Sequence, residues 1–404
     1  MSGGHRVCVP DRHGLGAIRA DGAASNTSNS STFSHVKRLQ RRPEDIETLN
    51  FHAAVDVPEV SDKRQVSDPD RVRATVDRFH AGLRDSLATP SRIRGWVSDQ
   101  LFGLIAADLE GCLIVKQEDV GTLFYDEEVK IPDWRLILRA GSHSLVEVKA
   151  VDDISTPLFA KLRLREVARL RRYAELNDCP LYIAIHWVAL DQWTLVPIDT
   201  FKRVDNHYEL DLSTAAKRDH MGTMLNDRWL GLVPPLSFRM RMKGTLTEDD
   251  RTRASGTDDG GDHTADAPLE EGTSRLHATI TEVSLACGGR TMLEKQERAL
   301  VWFLIQHARW PVEERLEQVD HATFDMVFEM APDEVPHGQG FAIIGRLSEL
   351  YTRMFYAGTS MREGTRKLTI DIEPGTLPRL VPTDFKSERL PLWHLLAAPA
   401  PEAD

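Results

Sequence analysis

Between Ser91 and Ile198 the spacing of apolar residues changes from a helical repeat to a strict alternation, then to a helical repeat again and back to strands. From about Ser91 to Leu109, Val97, Leu101, Leu104, Ile105 and Leu109 recur on one face, which predicts an amphipathic helix. From Cys112 the period is two. Leu113–Val115, Glu127–Lys130, Arg135–Leu138 and Leu145–Val151 are strand-like and separated by glycines or acidic turns. Gly141-Ser142 suits a tight turn, so the last two segments are expected as an antiparallel hairpin. A long helix is expected over Pro157–Asn177, followed by a buried strand at Leu181–Ile185 and another at Trp193–Ile198. A helix, a three-stranded antiparallel meander, a helix and two further strands make an α/β domain.

The rest of the chain is organised around that unit. A chain of 404 residues suggests two or three domains. Residues 1–45 read as a disordered tail, rich in Gly, Ser, Asn and Thr. Asp70 is placed to cap a helix carrying Val72, Val76, Phe79 and Leu83, so the first domain is expected over 68–240. Residues 245–273 carry Glu248-Asp-Asp250 and Asp258-Asp-Gly-Gly-Asp262 without apolar period and are expected to be an acidic flexible linker. A smaller mixed α/β domain then spans 274–400, with a strand at Leu276–Leu285 and a helix at Leu293–Ala308. We find no run of the roughly 18–20 apolar residues that a membrane helix needs. The four cysteines, Cys8, Cys112, Cys179 and Cys287, show no CxxC spacing, which argues against a zinc or disulfide framework and fits a cytoplasmic protein.

The chemistry concentrates at Pro132-Asp133 and Glu147-Val148-Lys149. Residues two apart on a strand point the same way, so Glu147 and Lys149 share a face with Leu145. A hairpin centred on Gly141-Ser142 brings Asp133 opposite about residue 150, within reach of both. Two carboxylates beside an ammonium suit a hard divalent cation with oxygen ligands, Mg²⁺ or Mn²⁺, which retains waters and can take up a phosphate. The cation would activate phosphorus and water; the lysine would position water and offset developing charge. This grouping matches phosphodiester hydrolysis.

These residues resemble the signature of the PD-(D/E)XK nuclease superfamily, the restriction-endonuclease-like fold, over about residues 90–200. The chain looks most similar to archaeal Holliday-junction resolvases and Mrr-type restriction enzymes. The resemblance implies that Asp133 and Glu147 ligate Mg²⁺ and that Lys149 serves the attacking water. It also implies an additional acid on the first helix, which Gly95-Trp96-Val97-Ser98-Asp99 supplies through Asp99.

On the expected helix after the motif, Lys161, Arg165, Arg169 and Arg172 recur at i, i+4, i+8 and i+11, a basic ridge suited to a phosphate backbone. Against a net charge of −12, any nucleic-acid site must be such a local patch. His186 is placed to reach the site, although a histidine at a strand end is more often structural, and Trp134 is expected to pack in the core. No Walker phosphate loop, GxGxxG segment or GxSxG elbow occurs. The sequence therefore points to a Mg²⁺-dependent endonuclease acting on DNA in restriction, defence or repair, with RNA as the other polymer of like chemistry. The C-terminal domain would serve recognition or homodimerisation. The alternative is an inactive nuclease-fold subunit that binds nucleic acid or scaffolds a larger complex.

Overall fold

A computed structural model of the protein describes residues 52, 69–118, 125–153, 156–248, 274–359 and 375–401. The N-terminal tail at 1–45 and all of the linker beyond Glu248 lie outside them. α1 (Pro69–Ala88) and α2 (Pro90–Asp108) part at Thr89, because Pro90 lacks the N–H of a continuing helix and suits the first turn of a new one. Then follow β1 (Cys112–Gln117), β2 (Trp134–Leu138), β3 (His143–Val151), β4 (Phe159–Arg163), α3 (Leu164–Leu176), β5 (Leu181–Trp187), β6 (Gln192–Pro197), β7 (Lys202–Val204) and β8 (His207–Asp211).

The first sheet has the order β1-β2-β3-β5-β6. Its first three strands are antiparallel, β3 and β5 are parallel, and β6 returns antiparallel to β5. A parallel pair needs a long crossover, and β4 with α3 provides it. At the β2–β3 turn Gly141 has φ +86°, a conformation that glycine adopts without strain, and its N–H donates to Leu138 O at 2.9 Å. The hairpin pivots about Ala140, one to two residues earlier than the sequence suggested: Ile137 faces His143 and Trp134 faces Val146. Asp133 therefore arrives opposite Glu147 instead of residue 150.

β3 is central, and Ser144, Leu145, Val146, Glu147 and Val148 are all buried. Val146 and Val148 pack with Leu136, Leu138 and the α2 side chains Leu101, Phe102 and Ile105. Leu145, on the other face, packs with Ile183, Ile185 and Val167, Leu170 and Ala174 of α3. Because side chains alternate along a strand, Glu147 and Lys149 point with Leu145 towards α3.

Two local expectations need correction. The helix expected over Pro157–Asn177 begins only at Leu164. In Phe159–Arg163, buried Ala160 and Leu162 alternate with exposed Lys161 and Arg163, and β8 supplies a strand partner, so the segment joins a three-stranded sheet of order β4-β8-β7. Glu127–Lys130 is not a strand; its side chains are drawn onto α3 by ion pairs.

The chain continues through α4 (Leu212–Lys217), α5 (Met221–Leu225), β9 (Arg228–Leu232), β10 (Leu236–Glu248), β11 (Ser274–Cys287), β12 (Arg290–Thr291), α6 (Lys295–His307), β13 (Val312–Gln318), β14 (Thr323–Met330), β15 (Ala342–Arg346), α7 (Leu347–Thr359), α8 (Thr376–Leu380) and β16 (Leu392–Leu396). These strands form sheets of order β12-β11-β10-β14-β13 and β15-β9-β16, giving a mixed α/β protein with several sheets. Glu294 and Glu297 form a capping box that starts α6. Leu285, Leu300, Ile344 and Leu350 enter the same core as Phe102 and Val146, so described residues on both sides of 249–273 share apolar packing. Among the described residues no helix is long and apolar enough to cross a membrane.

Candidate functional site

The site forms where the end of β3 meets the segment before β2 and the first turn of α3. Asp133 precedes β2, and its Oδ2 accepts a hydrogen bond from Val148 N at 2.6 Å, which ties the two strand ends together. Glu147 is 2% exposed. Its Oε1 accepts from Lys149 Nζ at 2.7 Å and also from Lys130 Nζ, while its Oε2 is buried with no hydrogen-bond partner among the described residues. A buried carboxylate oxygen without a partner is costly unless a cation or water meets it.

The electrostatics point the same way. Burial, together with repulsion from Glu147 and then Asp99, pushes the Asp133 carboxyl up to about 7, although the Val148 N–H and Lys149 act against the rise. Two acids close enough to oppose each other's ionisation, one with an orphaned oxygen, form a donor set that fits a hard divalent cation. Among the described residues no group of three or more His, Cys, Asp and Glu side chains is arranged to hold a metal. Asp133 and Glu147 are thus the pair that would hold one, with waters or phosphate oxygens completing the shell.

Asp99 stands beside this pair but is engaged elsewhere. Its Oδ1 accepts from Trp134 Nε1 at 2.5 Å and its Oδ2 from Gln100 Nε2 at 3.1 Å. Trp134 in turn lies so close to α2 that a Cβ built on Gly103 would collide with its ring. A glycine at that helical position is therefore required by packing.

Lys149 is held by two carboxylates, Glu147 and Glu166, each at 2.7 Å. Burial opposes its charge, but the two acids overcome this and hold the ammonium well above its ordinary value. Burial likewise opposes ionisation of Glu166, yet Lys149 and Lys130 bring its carboxyl down to about 2. Lys149 is accordingly a fixed positive charge at neutral pH, suited to stabilising anionic oxygen and not to removing a proton.

Glu166 and Lys130 are the residues that sequence reading missed. Lys130 was set aside as part of the solvated triplet Glu128-Val129-Lys130, yet its Nζ donates to Glu166 Oε1 at 2.7 Å and to Glu147. For Glu166 there was one signal, an acid in a helix whose other charges are mostly arginine, but nothing local names its partners.

The basic ridge is only partly assembled. Arg165, Arg169 and Arg172 lie on α3, whereas Lys161 sits in β4, exposed and opposite Glu209 of β8. The arginines are paired: Arg165 and Arg169 with Glu128, Arg172 with Glu127. His186 does not serve the site. It is fully buried, its Nδ1 is 2.9 Å from Ser98 Oγ, and its ring stacks on Trp193 at 4.3 Å.

No family model matches the chain, and no curated protein matches it significantly. Over 33% of its length the chain is similar to a solved structure of Hjc, a Holliday junction resolvase from the archaeal hyperthermophile Archaeoglobus fulgidus. The similarity covers 96% of that chain at 18% identity, with a TM-score of 0.26.

Proposed function

We propose that this protein hydrolyses phosphodiester bonds in nucleic acid, with DNA as the first substrate class, at a site built from Asp133, Glu147 and Lys149. The reading is carried by one observation: Glu147 Oε2 is buried without a hydrogen-bond partner among the described residues, beside an Asp133 whose ionisation it opposes. Such a pair lacks positive charge, and Mg²⁺ or Mn²⁺ bound there would supply Lewis-acid activation of a phosphate and of a water. The chain's own residues do the rest. Val148 N–H orients the Asp133 carboxylate, Glu166 steadies Lys149, and the Lys149 ammonium offsets charge that develops on phosphate oxygen. The order of β1, β2, β3, α3, β5 and β6 also supports a restriction-endonuclease-like core of the resolvase or Mrr type. Restriction, defence and repair are the roles in which such an activity would act, in the cytoplasm and without a membrane.

The test is incubation of the purified protein with plasmid, linear, single-stranded and branched DNA and with RNA, with and without Mg²⁺. Metal-dependent cleavage that disappears in Lys149→Ala is the expected result; undiminished cleavage by that variant rejects the assignment.

A second reading is favoured by the ion pairs themselves. Lys130 and Lys149 both occupy Glu147 Oε1, and the α3 arginines are already neutralised, as in a non-catalytic scaffold or nucleic-acid-binding subunit. Titration with Mg²⁺ or Mn²⁺ separates the two: a catalytic site binds the ion and loses it in Asp133→Ala, whereas a scaffold binds none. The domain over 68–240 would carry the site, and residues 274–400 would carry recognition or dimerisation.

A further inference from the structure

Residues 125–130 run along α3 as an acidic strap. Glu128 accepts from Arg165 Nη2 at 2.8 and 2.6 Å through its two oxygens, and from Arg169. Glu127 accepts from Arg172 Nε at 2.9 Å, and Tyr125 OH lies 3.0 Å from Arg172 Nη2. One end of the strap is pinned by Lys130, whose backbone N–H donates to Arg169 O at 3.3 Å and whose Nζ reaches Glu147 and Glu166. The strap thus extends from the outer arginine of α3 to the acid pair of the candidate site.

Two consecutive carboxylates on three guanidinium groups satisfy the same forks that take up phosphate oxygens. The pairs are open to solvent, with Arg165 73% and Glu128 63% exposed, and ion pairs in that setting contribute little to stability. Exchange of these carboxylates for phosphates is therefore inexpensive.

We infer that residues 125–130 are a built-in mimic of a nucleic-acid backbone, which covers the Arg165, Arg169 and Arg172 ridge in the unbound protein and is displaced by the phosphates of a bound strand. The inference rests on the proposal that this site acts on nucleic acid. Lys130 joins the two events: displacement of the strap withdraws Lys130 from Glu147 and leaves Lys149 held by Glu166. Nucleic-acid binding and the opening of the acid pair then occur together, and an unbound protein keeps its hydrolytic centre covered.

The experiment compares wild type with the double variant Glu127→Gln/Glu128→Gln for binding to a short DNA duplex across a salt series, with cleavage assayed in the same samples plus Mg²⁺. Both side chains are exposed, so the variant should keep the wild-type melting curve. The expected result is a several-fold lower Kd for the variant and a steeper fall of log K with log salt, by up to about 0.9 for each arginine freed to release counterions on binding. Equal affinity and equal salt slope overturn the strap. Tighter binding without cleavage by either protein keeps the strap and removes the hydrolase reading. Cleavage with unchanged affinity does the reverse, and binding by neither protein overturns both.

Discussion

Glu166 Oε1, on the first turn of α3, accepts a hydrogen bond from Lys149 Nζ, on β3, at 2.7 Å. The crossover helix therefore reaches back to hold the charged group of the strand it follows. Lys149 would be poorly placed on Glu147 alone, because the two residues sit side by side on one strand and their stems are free to splay. Glu166 supplies the second fixed point.

Glu166→Ala should consequently lower metal-dependent cleavage by about 10- to 100-fold through loss of alignment. Glu166→Gln, which keeps an acceptor for the ammonium, should recover part of that loss. Single-turnover cleavage rates check this, and a melting curve close to wild type separates alignment from unfolding.

Gly103 has no room for a side chain, since the Trp134 ring occupies the space a Cβ would take. Gly103→Val should destabilise the fold by about 1–3 kcal/mol, the usual range for overpacking a core. It should also disturb the Trp134–Asp99 hydrogen bond. Urea midpoints and tryptophan fluorescence read the two effects.

Arg346 bridges two buried acids, with Nη1 2.7 Å from Asp219 Oδ2 and Nε 2.6 Å from Asp227 Oδ2. Removing the cation strands both carboxylates where water cannot reach them. Arg346→Leu should cost about 3–5 kcal/mol, measured by denaturant unfolding. A double variant that also replaces Asp227 with Asn should recover part of it.

His186 and His394 are both lowered to about 4 from 6.5; burial disfavours their charged forms. The unfolded chain protonates them first, so the stability tied to their neutral forms is fully present above pH 6.5 and lost as pH falls towards 4. Denaturant midpoints should thus decline between pH 6.5 and 4, and the decline should be shallower in His186→Gln. A midpoint independent of pH over that window would contradict neutral burial of these rings.

Much of the first sheet was legible because its signals are local. The apolar period of α2, the alternation of β2 and β3, and the glycine of their turn each depend on neighbours within a few residues. Pro132-Asp133 and Glu147-Val148-Lys149 were legible for the same reason, since strand alternation puts Glu147 and Lys149 on one face. Phe159–Arg163 was misread because a helical and a strand spacing both fit its apolar residues; the open edge of β8 decided between them. Glu127–Lys130 was misread in the opposite sense, because side-chain ion pairs with α3 displaced a strand partner.

The sequence by itself therefore determined where apolar surface would be buried and which acids and lysine would come to one strand end, because periodicity and turn chemistry act over a few residues. Only the tertiary structure decided that Glu166 and Lys130 join that cluster, that one oxygen of Glu147 is left without a partner among the described residues, and that Glu127 and Glu128 cover the arginines of α3. Those outcomes depend on contacts between residues 17 to 45 positions apart, which no local pattern encodes.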